Sequence, residues 1–156
     1  MGTASASDRV VAAGRACGVL VDVREFPAGT KTAADAAKAI GCPVSAIVKS
    51  LVFTVDGSPV VVLVPGDRRL DPVKLRRVAG GGRVERAALD LVRDATGFVA
   101  GGTPPFGYPR PLPIWADQAL RRNDPVWAAG GTPTTVFRIA TADLIRASGA
   151  VWADLS

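Results

Sequence analysis

The sequence predicts a single α+β domain built on a mixed β-sheet. Three observations carry that reading. Helix-like and strand-like segments are interleaved without a regular strand–helix–strand alternation, which argues against a doubly wound parallel sheet. Two strongly apolar runs flank Asp56-Gly57-Ser58, the mark of a hairpin whose strands sit centrally in a sheet. The chain has 156 residues, 48% of them hydrophobic, enough for one continuous core without disulfides or metals.

Each element follows from local chemistry. Residues 1–6 are small and polar and predict a frayed end. Residues 7–18 begin with Ser-Asp, are Ala-rich and stop at Gly, which predicts a capped helix. Residues 19–26 alternate and are β-branched, a strand pattern. Residues 28–41 offer a Thr N-cap, an Ala-rich interior and a closing Gly, a second helix. Pro43 opens one helical turn, and the hairpin follows over 47–65. Residues 70–80 start Leu-Asp-Pro and space Leu70, Val73, Leu75 and Val78 along one helical stripe. Residues 81–87 predict a short edge strand and 88–97 a helix ending in Gly. A strand is expected at 112–117, and two more around Gly130-Gly131 within 125–139. A helix with Thr141 as N-cap fills 141–149, and "AVWADL" closes the chain.

Composition excludes several chemistries. Histidine is absent, so neither a Ser-His-Asp nor a Cys-His nucleophile system can be built. Catalysis must then rest on Lys, Asp or Glu, main-chain groups, water or the substrate itself. Cys17 and Cys42 have no metal or redox spacing and predict two reduced, buried or half-buried thiols. No carboxylate cluster or paired Cys suggests a metal, and no cofactor is expected. The longest aliphatic run, 60–64, is far too short to cross a bilayer, and no leader-like segment opens the chain, so a soluble cytoplasmic protein is expected. Net charge is +5, and the basic excess is concentrated over 68–94, where Arg68, Arg69, Lys74, Arg76, Arg77, Arg83, Arg86 and Arg93 face four carboxylates. Such a cluster suits a polyanionic partner or is a solvated basic face.

Four features are candidates for chemistry. Lys49 stands inside an apolar strand, on the side of Leu51 and opposite Val48 and Ser50 if alternation holds. It is either a stem snorkelling to water or a cation facing a cleft. The stretch "GGTPPFG" at 101–107 combines bare main chain with proline stiffening, and either turns a corner or presents N–H groups to a negative oxygen. It fits neither GxxxxGK[ST] nor GxGxxG, which excludes a P-loop ATPase and a Rossmann enzyme. Asp117 ends a strand, where a carboxylate can orient a loop, bind an amine or cap a helix at "DQALRR". Gly130-Gly131 is a second bare turn.

Taken in order, "AADAAKAIGCPVSAIVKSLVF", "LVPGDRRLDPVKL", "ATGFVAGGTPPFG", "LPIWAD", "AAGGT" and the final "ADL" resemble the YbaK/prolyl-tRNA synthetase editing-domain family over roughly residues 30–155. The resemblance implies a partly barrel-like mixed sheet flanked by helices. It implies hydrolysis of mischarged aminoacyl-tRNA, in trans or beside an aminoacyl-tRNA synthetase, without a metal. It places Lys49, Gly101, Gly102 and Asp117 in catalysis, and Thr103, Pro104, Phe106, Gly130 and Gly131 at the substrate. Arg68, Arg69, Lys74, Arg76 and Arg77 would meet acceptor-stem phosphates. Pro104-Pro105-Phe106 replaces the Ser-Pro-Leu-like core of many relatives, and Thr132-Pro133 stands where a basic residue often follows the second glycine pair. A module that binds a tRNA 3′ end without cleaving it is the alternative function.

Overall fold

The β2–β3 hairpin organises the molecule. In the computed structural model, which describes residues 5–26 and 32–156, β2 spans Ile47–Val55 and β3 spans Ser58–Pro65 in antiparallel register. Asp56 and Gly57 turn the chain with φ of 51° and 81°, the left-handed pair that a two-residue hairpin loop requires. Val61 and Leu63 face one apolar cluster and Val60, Val62 and Val64 another, so β3 is covered on both faces. That double coverage explains its unbroken apolar run.

Strands are added on both sides of the hairpin. Beyond β3 lie β5 (Ile114–Asp117) and β8 (Val151–Ala153), each joined in parallel. Beyond β2 lie β6 (Val126–Ala129), β7 (Thr135–Ile139) and β1 (Arg24–Glu25). The order is β1-β7-β6-β2-β3-β5-β8, and β4 (Val84–Arg86) pairs with β2 outside that path. The sheet is mixed and open. Two different strands therefore share the outer edge of β2. β6 runs parallel to it at Ile47 and Val48, and β4 runs antiparallel from Phe53 to Val55. Between them, over residues 49–51, the edge has no ladder among the described residues.

Among the described residues five α-helices flank the sheet: α1 (Ala6–Ala16), α2 (Ala33–Ile40), α3 (Pro72–Val78), α4 (Leu89–Thr96) and α5 (Thr141–Ser148). Ser5 and Asp8 form a reciprocal capping box on α1, Thr32 caps α2 and Asp71 caps α3. Among the described residues, no helix is long and apolar enough to cross a membrane.

Several sequence expectations need correction. Ser5 and Ala6 belong to the capped start of α1 rather than to a frayed end, and residues 1–4 lie outside the described residues. Of residues 19–26 only Arg24 and Glu25 pair in a ladder, while Val19 and Val21 insert into the core. The helix expected from 28 begins at Ala33, with 28–31 outside the described residues. On α3 the apolar stripe is not buried as a unit: Leu75 is fully covered, whereas Val73 is 64% exposed. Thr141 is the first residue of α5 rather than its cap. Its hydroxyl donates to the Asn123 carbonyl and its N–H to the Asp124 carboxylate. Cys17 is exposed rather than buried, and both thiols are free.

Candidate active site

The unpaired stretch of β2 opens onto a cleft of about 290 Å³, at the small end of small-molecule sites. Lys49, Ser50 and Leu51 line it from β2, Arg86 from β4, and Gly101 and Thr103 from the glycine loop. Trp127 and Ala128 of β6 and Ala36 of α2 complete its apolar wall.

Lys49 arrives there as strand alternation predicts. Val48 and Val52 belong to the main core, and Leu51 and Phe53 to the cluster on the opposite face, so Lys49 shares the latter side. Its Nζ donates to the Arg68 carbonyl at 2.6 Å, on the loop that leaves β3. Partial burial lowers its pKa below the usual lysine value, and the Arg69 charge adds to that, with Asp67 opposing and Arg86 reinforcing. The cleft is thus rimmed by cations, and Lys49 is a stemmed ammonium at its edge.

The glycine loop is stiff. The Gly102 N–H donates to the Val99 carbonyl at 3.0 Å, and the Thr103 hydroxyl donates to the same carbonyl at 2.9 Å. The Tyr108 hydroxyl donates to the Pro104 carbonyl at 2.6 Å, and burial of that end of the ring pushes the phenol's pKa up. Phe106 is anchored in the core, edge to face with Phe137 at 5.8 Å between ring centroids. Gly102 packs on the second glycine turn so tightly that a Cβ there would lie 2.6 Å from the Thr132 carbonyl carbon. Of the loop's main-chain donors that have no partner among the described residues, two belong to residues lining the cleft. The N–H groups of Gly101 and Thr103, both lining the cleft, donate to no acceptor among the described residues. A rigid loop with unspent amides can stabilise a developing oxyanion without reorganising.

The structure distributes the remaining candidates. Gly102 supplies close packing, and its own amide is spent. Pro104 and Phe106 are buried in the loop's support. Gly130 and Gly131 lie behind the cleft, against the start of α1. The Gly130 carbonyl accepts from the Ser7 hydroxyl, and a Cβ on Gly131 would meet the Ala6 backbone at 2.8 Å. Their neighbours Ala129, Pro133 and Thr135 line the cleft instead. Asp117 is 2% exposed and does not line the cleft. It caps no helix either, since the 3₁₀ turn after it, Gln118–Arg122, has no side-chain cap. Its carboxylate accepts from the Leu155 N–H at 3.2 Å and the Ser156 hydroxyl at 2.5 Å, tying residues 155–156 to the end of β5.

A prediction follows for Asp117. Asp117→Ala is expected to remove both bonds and lower Tm by about 3–10 °C, from the roughly 1–3 kcal/mol that an orphaned buried donor costs. Calorimetry checks it.

The basic candidates separate by position. Arg68 and Arg69 are exposed on the loop beside Lys49, and Arg76 and Arg77 are exposed on α3. Lys74 is committed to the Asp154 carboxylate at 2.9 Å and to the Ser156 carbonyl. Sequence reasoning did not single out Ser50, Arg86 or Trp127 as site residues. For Ser50 the available signal was its place beside Lys49 in "VKSLV"; for Arg86 it was an arginine ending a short edge strand.

A family model described as "Aminoacyl-tRNA editing domain" matches residues 27–147. The chain belongs to that family. This editing domain is 39% identical over 102 residues to a proline–tRNA ligase of Maridesulfovibrio salexigens, covering 65% of this chain but 17% of the ligase. It is 32% identical over 136 residues to YwhH of Bacillus subtilis, an uncharacterized protein, covering 86% of each. Its fold superposes with a TM-score of 0.92 and 42% identity on the crystal structure of a protein proposed as a trans-editing enzyme for prolyl tRNA synthetase, over 99% of both chains. The editing domain is thus similar both to a small part of a synthetase and to chains of its own size.

Proposed function

We propose that this editing domain is a free-standing aminoacyl-tRNA deacylase, acting in trans on mischarged tRNA in the cytoplasm. The observation that carries the reading is the pair of unspent amides, Gly101 and Thr103, in the same cleft as Lys49. An aminoacyl ester is already activated by its α-ammonium and the neighbouring ribose hydroxyl. The protein therefore needs to hold the carbonyl, stabilise the oxyanion and admit water, which requires no imidazole.

Water adds to the ester carbonyl, and negative charge develops on its oxygen against the loop amides. Collapse breaks the bond to the ribose oxygen, which takes one of the water's two protons and leaves as the 3′-hydroxyl, while the other proton passes to solvent and the amino acid departs as a carboxylate. Lys49 remains protonated and holds the phosphate of the terminal adenosine. Arg69 and Arg86 add positive charge at the same rim.

The test incubates the protein with a panel of mischarged tRNAs and follows amino-acid release. Release well above the spontaneous rate is expected for at least one. The second reading, a tRNA 3′-end-binding module, draws on the Lys49 ammonium already being engaged by the Arg68 carbonyl. It predicts tRNA binding with no release. Phosphate contact by the loop arginines has its own signature. Arg68→Ala/Arg69→Ala is expected to reduce the slope of log Kd against log salt by about 1.4–1.8, or 0.7–0.9 per phosphate contact. An unchanged slope removes them from the RNA face.

A further inference from the structure

Ser50 lines the cleft, and three of its polar groups have no partner among the described residues. The register of β2 settles two of them. Odd-numbered residues turn their main-chain groups toward β3: the Gly66 N–H donates to the Ile47 carbonyl at 2.8 Å, and Lys49 pairs with Val64. Even-numbered residues therefore turn theirs to the outer edge, as the Ala87 N–H shows by donating to the Val52 carbonyl at 3.2 Å. Val48 is served there by the β6 ladder, which goes no further, and the β4 ladder begins only at Phe53. Ser50 falls between them, so its N–H and C=O project into the gap without a ladder partner. The third group is its hydroxyl, a buried oxygen with no hydrogen-bond partner among the described residues. Buried polar groups are normally paired, and an exception at a cleft points to something that completes it.

The shape of the vacancy names its occupant. In an antiparallel ladder two directly opposed residues exchange both N–H···O bonds, and their side chains lie on one face. The needed partner is a single extended residue with a donor nitrogen and an acceptor carbonyl on one edge. An α-aminoacyl ester has that pair in its α-ammonium and its ester carbonyl.

We propose that the aminoacyl group of the substrate docks as a one-residue strand on Ser50, exchanging two main-chain hydrogen bonds with it and laying its side chain beside the Ser50 hydroxyl. The Ser50 N–H then holds one lone pair of the ester carbonyl and leaves the other to the glycine loop. The Ser50 C=O accepts from the α-ammonium. The hydroxyl meets the substrate side chain on the face shared with Val48 and Val52, which makes Ser50 a residue that selects the amino acid as well as positioning it. The ligand class rests on the deacylase reading, and the bonding pattern rests on the register.

The test uses stable 3′-deoxy-3′-aminoacylamino-adenosines bearing L-alanyl, L-seryl, L-cysteinyl or L-prolyl groups, and takes forward the tightest binder. Saturation of the wild-type protein is expected to slow hydrogen exchange of the Ser50 amide at least about tenfold, read by NMR. The analogue lacking the α-amino group is expected to bind about tenfold more weakly, the worth of one hydrogen bond to a charged group. Ser50→Ala is expected to weaken binding of the L-seryl or L-cysteinyl analogue about tenfold relative to the L-alanyl one, while raising Tm by about 2–4 °C, because an unpartnered buried hydroxyl has been removed. That opposition of signs is not expected of a structural serine. Binding by none of the four analogues overturns the proposal. So does an unprotected Ser50 amide, or a Ser50→Ala variant that binds the L-seryl and L-cysteinyl analogues as wild type. Amino-acid release is scored separately: a protein that binds the analogue through Ser50 yet releases nothing loses the deacylase reading and keeps this one.

Discussion

Lys49→Ala is expected to lower kcat/KM for deacylation about 10- to 150-fold, the equivalent of the roughly 1.5–3 kcal/mol of one charge-assisted contact to the terminal phosphate. The fold should survive. In the free protein Lys49 contributes one side-chain hydrogen bond, to the Arg68 carbonyl, worth about 0.5–1.5 kcal/mol net. Circular dichroism should be unchanged, with Tm lower by about 2–6 °C. Full activity would remove Lys49 from the site, and an unfolded product would make it structural.

The same residue sets a pH dependence. Its pKa is lowered from the ordinary 10.5, chiefly by desolvation and then by Arg69. The active form is protonated, so enzymatic release above the spontaneous rate should fall as pH rises through that lowered value, below 10.5. Stability moves the other way. The unfolded chain holds more protons than the native one between the two pKa values, so this group's contribution to stability improves with rising pH across that window. Lys49→Arg should abolish the alkaline fall, because a guanidinium does not titrate there. A fall that persists in Lys49→Arg assigns it to another group.

Gly102→Ala should be the most damaging single-methyl addition near the cleft. The new Cβ would stand 2.6 and 2.7 Å from the Thr132 carbonyl carbon and Cα, and 3.0 Å from the Pro133 nitrogen. All three are main-chain atoms, so no side chain can swing aside. The two turns must separate, at a cost of about 1–3 kcal/mol, or about 3–10 °C in Tm. Displacing the loop amides by an ångström should then cost about 100-fold in kcat. Gly101→Ala is the informative contrast. Its Cβ would meet nothing within 4 Å, but its φ of +84° is strained for alanine by about 1–2 kcal/mol. Wild-type Tm and kcat in Gly102→Ala would show that the turn–turn contact does not govern the loop.

Much of the fold was legible because local signals agree with tertiary ones. The Asp56-Gly57 turn, the apolar runs around it and the Asp-Pro entry to α3 are local chemistry, and each stands where the sequence places it. What was illegible depends on partners distant in sequence. Residues 19–26 look like a full strand, yet β7 offers pairing to only two of them. Asp117 resembles a site carboxylate or a cap until residues 155–156 fold back on it. The site divides in the same way. An ammonium in an apolar strand and a bare Gly-Gly loop announce themselves, and the structure brings Lys49 and Gly101 to one cleft. Ser50 is marked in sequence only by its place beside Lys49, because its unpaired edge comes from where two other strands stop.

That interruption of the β2 edge has a consequence for the protein's solubility. An unsatisfied strand edge ordinarily invites another chain to add itself, the first step toward fibrous self-association. Here the vacant stretch covers only residues 49–51, about 10 Å of strand, and β6 and β4 close it at either end. A neighbouring polypeptide cannot lie down in so short a slot, whereas a single amino-acid unit can. The flanking strands act as a size filter, letting the fold keep exposed peptide groups for recognition without the aggregation hazard that a longer exposed edge would bring.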